Sequence, residues 1–332
     1  MAVRALWFRG GTLHLIDQRE LPGRTVVRHL HRAPEVAEAI RTMVVRGAPA
    51  IGVTAAYGMV LAHRDGTYSA ERAAKLLRAT RPTAHDLFVG IERVRRAWAS
   101  GEDPLDAADR YRTEVVEECH RIGLAGAPLL SRAHRVLTHC NAGALATVEW
   151  GTALAPIRVA RERGANLFVW VDETRPLLQG SRLTAWELAR ERIPHAVIAD
   201  NAAGAYLHSG QVDAVIVGAD RIARNGDFAN KIGTYEKAVV ARENRVPFYV
   251  AAPWSTFDAR SSSGRSIPVE ERAPDEVLEF AGRRVAPRSS PARNPAFDVT
   301  PAAYVTAYVT PGGVVRPKDV ARVLARRAKS SP

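Results

Sequence analysis

Cys140 and Asp220 are the two residues of this chain best placed to do chemistry. Cys140 ends the run "RVLTHC" and precedes "NAGALAT", and Asp220 ends "DAVIVGAD". A helix opening at Asn141 to Ala144 would put the thiol near a helix N-terminus, whose dipole favours the thiolate and lowers its pKa. The alternative is a buried, inert cysteine. His139 is adjacent, but strand neighbours point to opposite faces, so it is a poor base for Cys140. A carboxylate at the end of a wholly apolar strand is partly desolvated, which raises its pKa and lets it act as a general acid. The alternatives for Asp220 are a helix cap or a partner for Arg221.

Two further segments suit an anion. Arg46, Gly47 and Ala48 in "VVRGAPAIG" precede a helix expected to begin near Ala50. Backbone N–H groups at a helix start, with an arginine beside them, attract phosphate. In "NGDFANKIGTY" an Asn225-Gly226 turn precedes Asn230 and Lys231, one of only five lysines. Lys231 otherwise reads as a solvated cation on a helix. Asp172 and Glu173 are adjacent carboxylates that diverge on a strand, so they read as hydrogen-bonding or oligomer-facing groups. Cys119, within "VVEECHRIG", reads as a core thiol.

These residues need a frame. The chain has 332 residues, 46% of them hydrophobic and 25% charged, an ordinary globular balance for one large domain or two smaller ones. "LWFRGGTLHLID" suggests a short N-terminal hairpin turning at Gly10-Gly11. From Pro34 to about Arg121 the apolar residues recur at helical spacing. Beyond that, "RVLTHC", "NLFVWVDE", "HAVIADN", "DAVIVGAD" and "PFYVAAP" alternate with helical stretches, as buried parallel strands do. The expectation is an α/β chain. A mainly helical N-terminal domain (1–128) carries the hairpin, and a Rossmann-like, doubly wound parallel sheet forms the C-terminal domain (129–332). Ligands of such sheets bind at the carboxyl ends of the strands. Those ends carry Cys140-Asn141, Asp172-Glu173, Asp200-Asn201, Asp220 and Pro253. Residues 259–267, "ARSSSGRSI", read as a mobile loop.

Composition excludes several function classes. No strand is followed by GxGxxG, which argues against a nicotinamide enzyme. The two cysteines form no metal-ligating cluster with histidine, so neither a structural metal nor a disulfide framework is expected. No uncharged apolar run reaches 18 residues and no signal segment is evident, so no membrane association and a cytoplasmic location are expected. The net charge of +12 comes from scattered arginines without a nucleic-acid motif. The dense basic stretch from Arg316 to Lys329 reads as one face of a terminal helix.

The strings "RGAPAIG", "RPTA", "THCNAGALAT", "GTAL", "DETRPLLQGSRLTAWEL", "VDAVIVGADRIARNGDFANKIGTY", "PFYVAAP", "IPVEER" and "NPAFDVTP" run in this order from about Leu13 to Gly313. Together they resemble the methylthioribose-1-phosphate isomerases. These share a fold with the regulatory subunits of the eukaryotic translation-initiation exchange factor and with ribose-1,5-bisphosphate isomerases. The resemblance implies an intramolecular oxidoreductase of methionine salvage, converting 5-methylthioribose 1-phosphate to 5-methylthioribulose 1-phosphate. It implies a homodimer with a phosphorylated pentose substrate and neither cofactor nor metal. Motif by motif, it makes Cys140 and Asp220 catalytic. It makes Arg46, Gly47, Ala48, Arg81, Gln179, Asn230 and Lys231 substrate-binding; residue types and spacing alone do not single out Arg81 and Gln179. The alternatives are isomerases of 5-deoxyribose 1-phosphate or ribose 1,5-bisphosphate, and a non-catalytic regulatory subunit. His85-Asp86, Trp150, Phe228 and Trp254 depart from the family pattern close to the motifs, where they would reshape the pocket.

Overall fold

The chain is described as a computed structural model covering residues 3–81 and 85–330. The hairpin gains a third strand: β1 (Leu6–Arg9), β2 (Thr12–Ile16) and β3 (Val27–Leu30) form an antiparallel sheet in that order. Five helices follow: α1 (Ala33–Arg41), α2 (Ala48–Asp65), α3 (Ala70–Arg78), α4 (His85–Ser100) and α5 (Pro104–Gly126). α2 is buried on every side from Pro49 to Ala62, and the other helices pack around it. Asp103 caps α5, its side chain accepting from the Leu105 N–H at 2.8 Å, with Pro104 at the first helical position. α5 serves two cores: Tyr111 packs with α2 and α4, whereas Ile122 packs with the sheet that follows.

That sheet is built from β4 (Arg135–Thr138), β5 (Phe168–Asp172), β6 (His195–Ile198), β7 (Ala214–Val217), with α6 (Leu154–Glu162), α7 (Ala185–Arg190) and α8 (Ala203–His208) between them. The chain then runs through β8 (Arg221–Ala223), β9 (Phe228–Lys231), α9 (Thr234–Glu243), β10 (Phe248–Ala251) and β11 (Phe257–Asp258). It ends with α10 (Asp275–Leu278), β12 (Glu279–Phe280), β13 (Arg283–Arg284), β14 (Phe297–Thr300), β15 (Ala307–Thr310), β16 (Gly313–Val315) and α11 (Val320–Ser330). The main sheet has the order β16-β15-β10-β7-β4-β5-β6. All its pairs are parallel except β15 with β16. Its six parallel strands follow the doubly wound order, and the winding direction reverses between β4 and β7. The crevice outside the carboxyl ends of those two strands is where such folds bind ligands. Cys140 lies just past β4, and Asp220 just past β7.

A second, four-stranded sheet, β11-β8-β9-β14, takes β8 and β9 from the segment after β7 and β11 and β14 from the segment after β10. Its register sets Phe297 opposite Lys231 and Asp298 opposite Asn230. Residues 259–267, expected to be mobile, are tied to this sheet. The Ser261 carbonyl accepts from the Arg224 N–H at 2.8 Å, and Asp227 accepts from the Gly264 N–H at 3.0 Å. Among the described residues no helix is long and apolar enough to cross a membrane.

Candidate active site

The crevice opens into a cavity of about 850 Å³, counted to its mouth, within the range of small-molecule sites. Its wall contains every residue singled out for a site: Cys140, Asp220, Arg46, Gly47, Ala48, Arg81, Gln179, Asn230 and Lys231. They come from both cores, from the start of α2, from the ends of β4 and β7, and from β9.

The α2 edge is shaped by Gly47. Its φ is +91°, and a Cβ there would stand 2.4 Å from the Ala146 carbonyl oxygen. Only glycine lets the helix start abut the loop after Cys140. Gly47 caps α2 without a side-chain acceptor, so the first-turn N–H groups face the cavity edge, as at anion sites. The helix begins at Ala48, two residues earlier than expected. Arg46 donates to Gln18 Oε1 at 3.1 Å and to the Asn141 carbonyl at 2.7 Å, and also to Asn141 Oδ1. All these partners are neutral, so its charge is left for a ligand.

No helix opens at Asn141. Residues 141–143 form an irregular loop that leads into a short 3-10 turn, Ala144–Ala146. Cys140 has φ +64°. Its N–H donates to Thr174 Oγ1 at 2.9 Å, and its carbonyl accepts from Thr184 Oγ1 at 2.7 Å. The expected thiolate is therefore not favoured: burial pushes the thiol pKa up, and nearby Arg46 and Lys231 only partly oppose this. Glu187 replaces the missing helix geometry. This fully buried carboxylate accepts from the Ala144 and Leu145 N–H groups and from Asn141 Nδ2, and it pairs with Arg158 at 2.7 Å.

Asp220 faces the cavity, and among the described residues its carboxyl has no hydrogen-bond donor. Burial raises its pKa, with Lys231, Arg81 and Arg46 pulling the other way. Lys231 lies on β9, not on a helix. Its Nζ donates to the Ala296 carbonyl at 2.9 Å and sits 4.5 Å from the Phe297 ring centre. Burial lowers the pKa of Arg46, Arg81 and Lys231 alike. Among the described residues, Arg81 is the one of the three with a carboxylate at ion-pair distance, Glu270 at 4.0 Å. Asn230 is buried and held by Thr234 at 2.9 Å; Gln179 is buried at the cavity wall, and its Oε1 has no partner. An anion entering this cavity would meet three cations partly withdrawn from solvent.

Sequence reasoning assigned no role to Asn141, Glu187, Glu270, Arg272 or Phe297. The strings "THCNAG", "TAWEL", "IPVEER" and "NPAFDVTP" contain them but carry no signal of their function. Of the departures from the family pattern, Trp150, Phe228, Trp254 and Asp86 are absent from the cavity wall. Phe228 is fully buried, and Trp254 packs on Phe257. His85 lines an adjoining recess shared with Arg81, Asp220 and Phe297. Of the other strand-end groups, Asp172 lies buried beneath the site, within reach of His139 and Lys237, and Asp200 accepts from the Thr174 and Arg175 N–H groups. His139, Asp172 and Asp200 have the donor set of a metal site, but the Lys237 ammonium, 3.6 Å from Asp172, already supplies the positive charge there.

A doubly wound sheet with its site at the switch point, roofed by a second sheet and flanked by a helical domain, defines a known class. The chain belongs to the Initiation factor 2 subunit family, whose profile matches residues 44–317. Its relatives include the methylthioribose-1-phosphate isomerase of Aquifex aeolicus, 49% identical over 98% of this chain and 71% of that protein. The enzyme of the same name from Roseiflexus sp. is 50% identical over 95% of each. Among solved structures, the 5-methylthioribose 1-phosphate isomerase of Pyrococcus horikoshii OT3 matches with a TM-score of 0.90 at 44% identity, covering 99% of this chain and 96% of that one. The translation initiation factor eIF-2B subunit delta of A. fulgidus matches with a TM-score of 0.89 at 43% identity, covering 98% of this chain and all of that one.

Proposed function

We propose that the chain is a methylthioribose-1-phosphate isomerase, converting the cyclic aldose 1-phosphate to the open ketose 1-phosphate in methionine salvage. The observation that carries this reading is the convergence of Arg46, Arg81, Lys231 and the α2 start on a cavity that also holds Cys140 and Asp220. The cations suit a phosphate dianion. Two acids whose pKa values burial raises suit a reaction that must open a sugar ring.

The substrate's C1 oxygen carries phosphate, so the ring cannot open by simple mutarotation. Asp220, whose pKa burial raises, is the acid that donates a proton to the ring oxygen as the C1–O4 bond breaks. Hydrogen then leaves C2 and bonds to C1, the C2 hydroxyl proton returns to the enzyme, and the phosphate stays in place. A Cys140 thiolate could carry that hydrogen as a proton, through an enediol. The raised thiol pKa works against this and favours direct hydride movement from C2 to the electron-poor C1, with Cys140 beside the developing charge. Gln179 and Asn230 would hold sugar hydroxyls. The enzyme would act as a cytoplasmic homodimer, its assembly measurable by light scattering.

Purified protein incubated with 5-methylthioribose 1-phosphate and followed by NMR tests the reading, with 5-deoxyribose 1-phosphate and ribose 1,5-bisphosphate in parallel. Turnover of none of the three by folded protein would reject it. A regulatory subunit is the second reading, favoured by the match to the A. fulgidus protein. A subunit that only binds has no need for a thiol and a carboxyl of raised pKa facing one cavity lined with cations.

A further inference from the structure

His139 is buried directly beneath the site, and both ring nitrogens are engaged. Nδ1 lies 2.9 Å from Asp172 Oδ2, and Nε2 lies 2.8 Å from the Ile232 carbonyl. A carbonyl can only accept, so Nε2 carries the hydrogen. Along the chain His139 is one residue from Cys140, and Ile232 is one residue from Lys231. The Lys231–Gly233 turn has other anchors on its far side: Thr234 Oγ1 donates to the Lys231 carbonyl at 2.7 Å, and β9 pairs Lys231 with Phe297 of β14. The Ile232 N–H donates to the Ala296 carbonyl at 3.1 Å, the acceptor that also takes Lys231 Nζ. The Gly233 N–H donates to Asp298 Oδ2 at 2.7 Å. Gly233 has φ +99°, and a Cβ on it would stand 3.2 Å from the His139 ring, so the turn lies directly against the imidazole. Asp172 orients the ring from the neighbouring strand, with Lys237 3.6 Å from the same carboxylate oxygen.

We propose that His139 is a positioning residue whose Nε2–H···O=C bond to Ile232 fixes the distance between the Cys140 loop and the Lys231 ammonium, and thereby sets phosphate affinity. Its ring is at the cavity wall, but both nitrogens are spent on protein partners, which leaves neither free for a ligand. The inference rests on the isomerase reading only in taking the cavity to bind a phosphate group, and inorganic phosphate probes that without turnover. The two hydrogen bonds can be separated. In His139→Gln the amide nitrogen falls where Nε2 was, retaining the donor to Ile232. In His139→Asn it falls where Nδ1 was, facing Asp172 and leaving the Ile232 carbonyl unpartnered. Calorimetric titration with inorganic phosphate is expected to give a Kd within about threefold of wild type for His139→Gln and at least about tenfold weaker for His139→Asn. The KM should split in the same way, with kcat changed less than KM. Equal effects of the two variants, or losses that follow Tm alone, would overturn the proposal. If neither variant folds, the wild-type protein still decides. The His139 Nε2–H proton resonance should be protected from exchange and should shift on saturation with phosphate; an unmoved resonance would overturn the proposal. Phosphate binding that splits as expected in a protein unable to turn over any of the three sugar phosphates would reject the isomerase reading and leave this one standing.

Discussion

Replacing Lys231 with methionine should weaken substrate binding and stabilise the empty protein. The ammonium is half-buried at the cavity wall, bonded to one carbonyl and stacked on Phe297, and among the described residues no carboxylate lies at ion-pair distance from it. A hydrogen bond to a charged group is worth about 1.5–3 kcal/mol. At about 1.4 kcal/mol per factor of ten, losing the contact to phosphate should raise KM about ten- to hundredfold. Without ligand the same ammonium opposes folding, because burial has lowered its pKa. The folded state then binds fewer protons than the unfolded one. The penalty is full below the folded pKa and is relieved as pH rises towards the unfolded value, so wild-type stability should climb through that alkaline window. Methionine removes the charge and keeps most of the volume, so its Tm at neutral pH should exceed that of wild type, by roughly 2 °C for each kcal/mol of relief in a chain of this size. Inorganic phosphate should raise the wild-type Tm more than the variant's. Steady-state kinetics and scanning calorimetry with and without phosphate measure all three effects. A lower Tm for Lys231→Met together with an unchanged KM would refute the account of the cavity as a preformed anion site.

Other outcomes follow from the same geometry. Asp220→Asn and Cys140→Ser should each lower kcat by about 10²–10⁴-fold, the usual contribution of a positioned acid or base, while phosphate still raises Tm; substantial turnover by either variant would remove that residue from the mechanism. Because Asp220 must be protonated and burial raises its pKa, kcat/KM should decline on the alkaline side at a pH above the ordinary carboxyl range. A decline centred at an unperturbed carboxyl value would contradict its role as acid. In D2O, hydride movement places no deuterium at C1 of the ketose, whereas substantial C1 deuteration seen by NMR would restore Cys140 as a proton carrier. Glu187→Leu removes the fully buried one of Arg158's two carboxylate partners, leaving the half-buried Glu191, and frees the loop after Cys140. It should cost about 3–5 kcal/mol of stability, as breaking a buried pair does; a denaturation midpoint equal to wild type would argue against that loop depending on Glu187.

Much of the candidate site could be read from residue types because chemistry there follows strand ends. Short apolar runs ending in Cys140 and Asp220 place reactive groups at the rim of a parallel sheet whatever the details of the connections. "RGAPAIG" places an arginine and free N–H groups at a helix start, and helical periodicity delimits α1 to α5. Tertiary structure alone decided what those groups are like. The helix expected after Cys140 is absent, because a buried Glu187 from 46 residues beyond Asn141 satisfies the backbone N–H groups that a helix dipole was expected to organise. Enclosure by two cores and a second sheet then raises the thiol pKa instead of lowering it. Lys231 reads as a solvated cation until β14, distant in sequence, pairs with β9 and sets Phe297 against it. The order in which the strands assemble, with winding reversing between β4 and β7, puts Cys140 and Asp220 on either side of one crevice. Local spacing cannot express that, because strand order is settled by long-range burial and not by neighbouring residues.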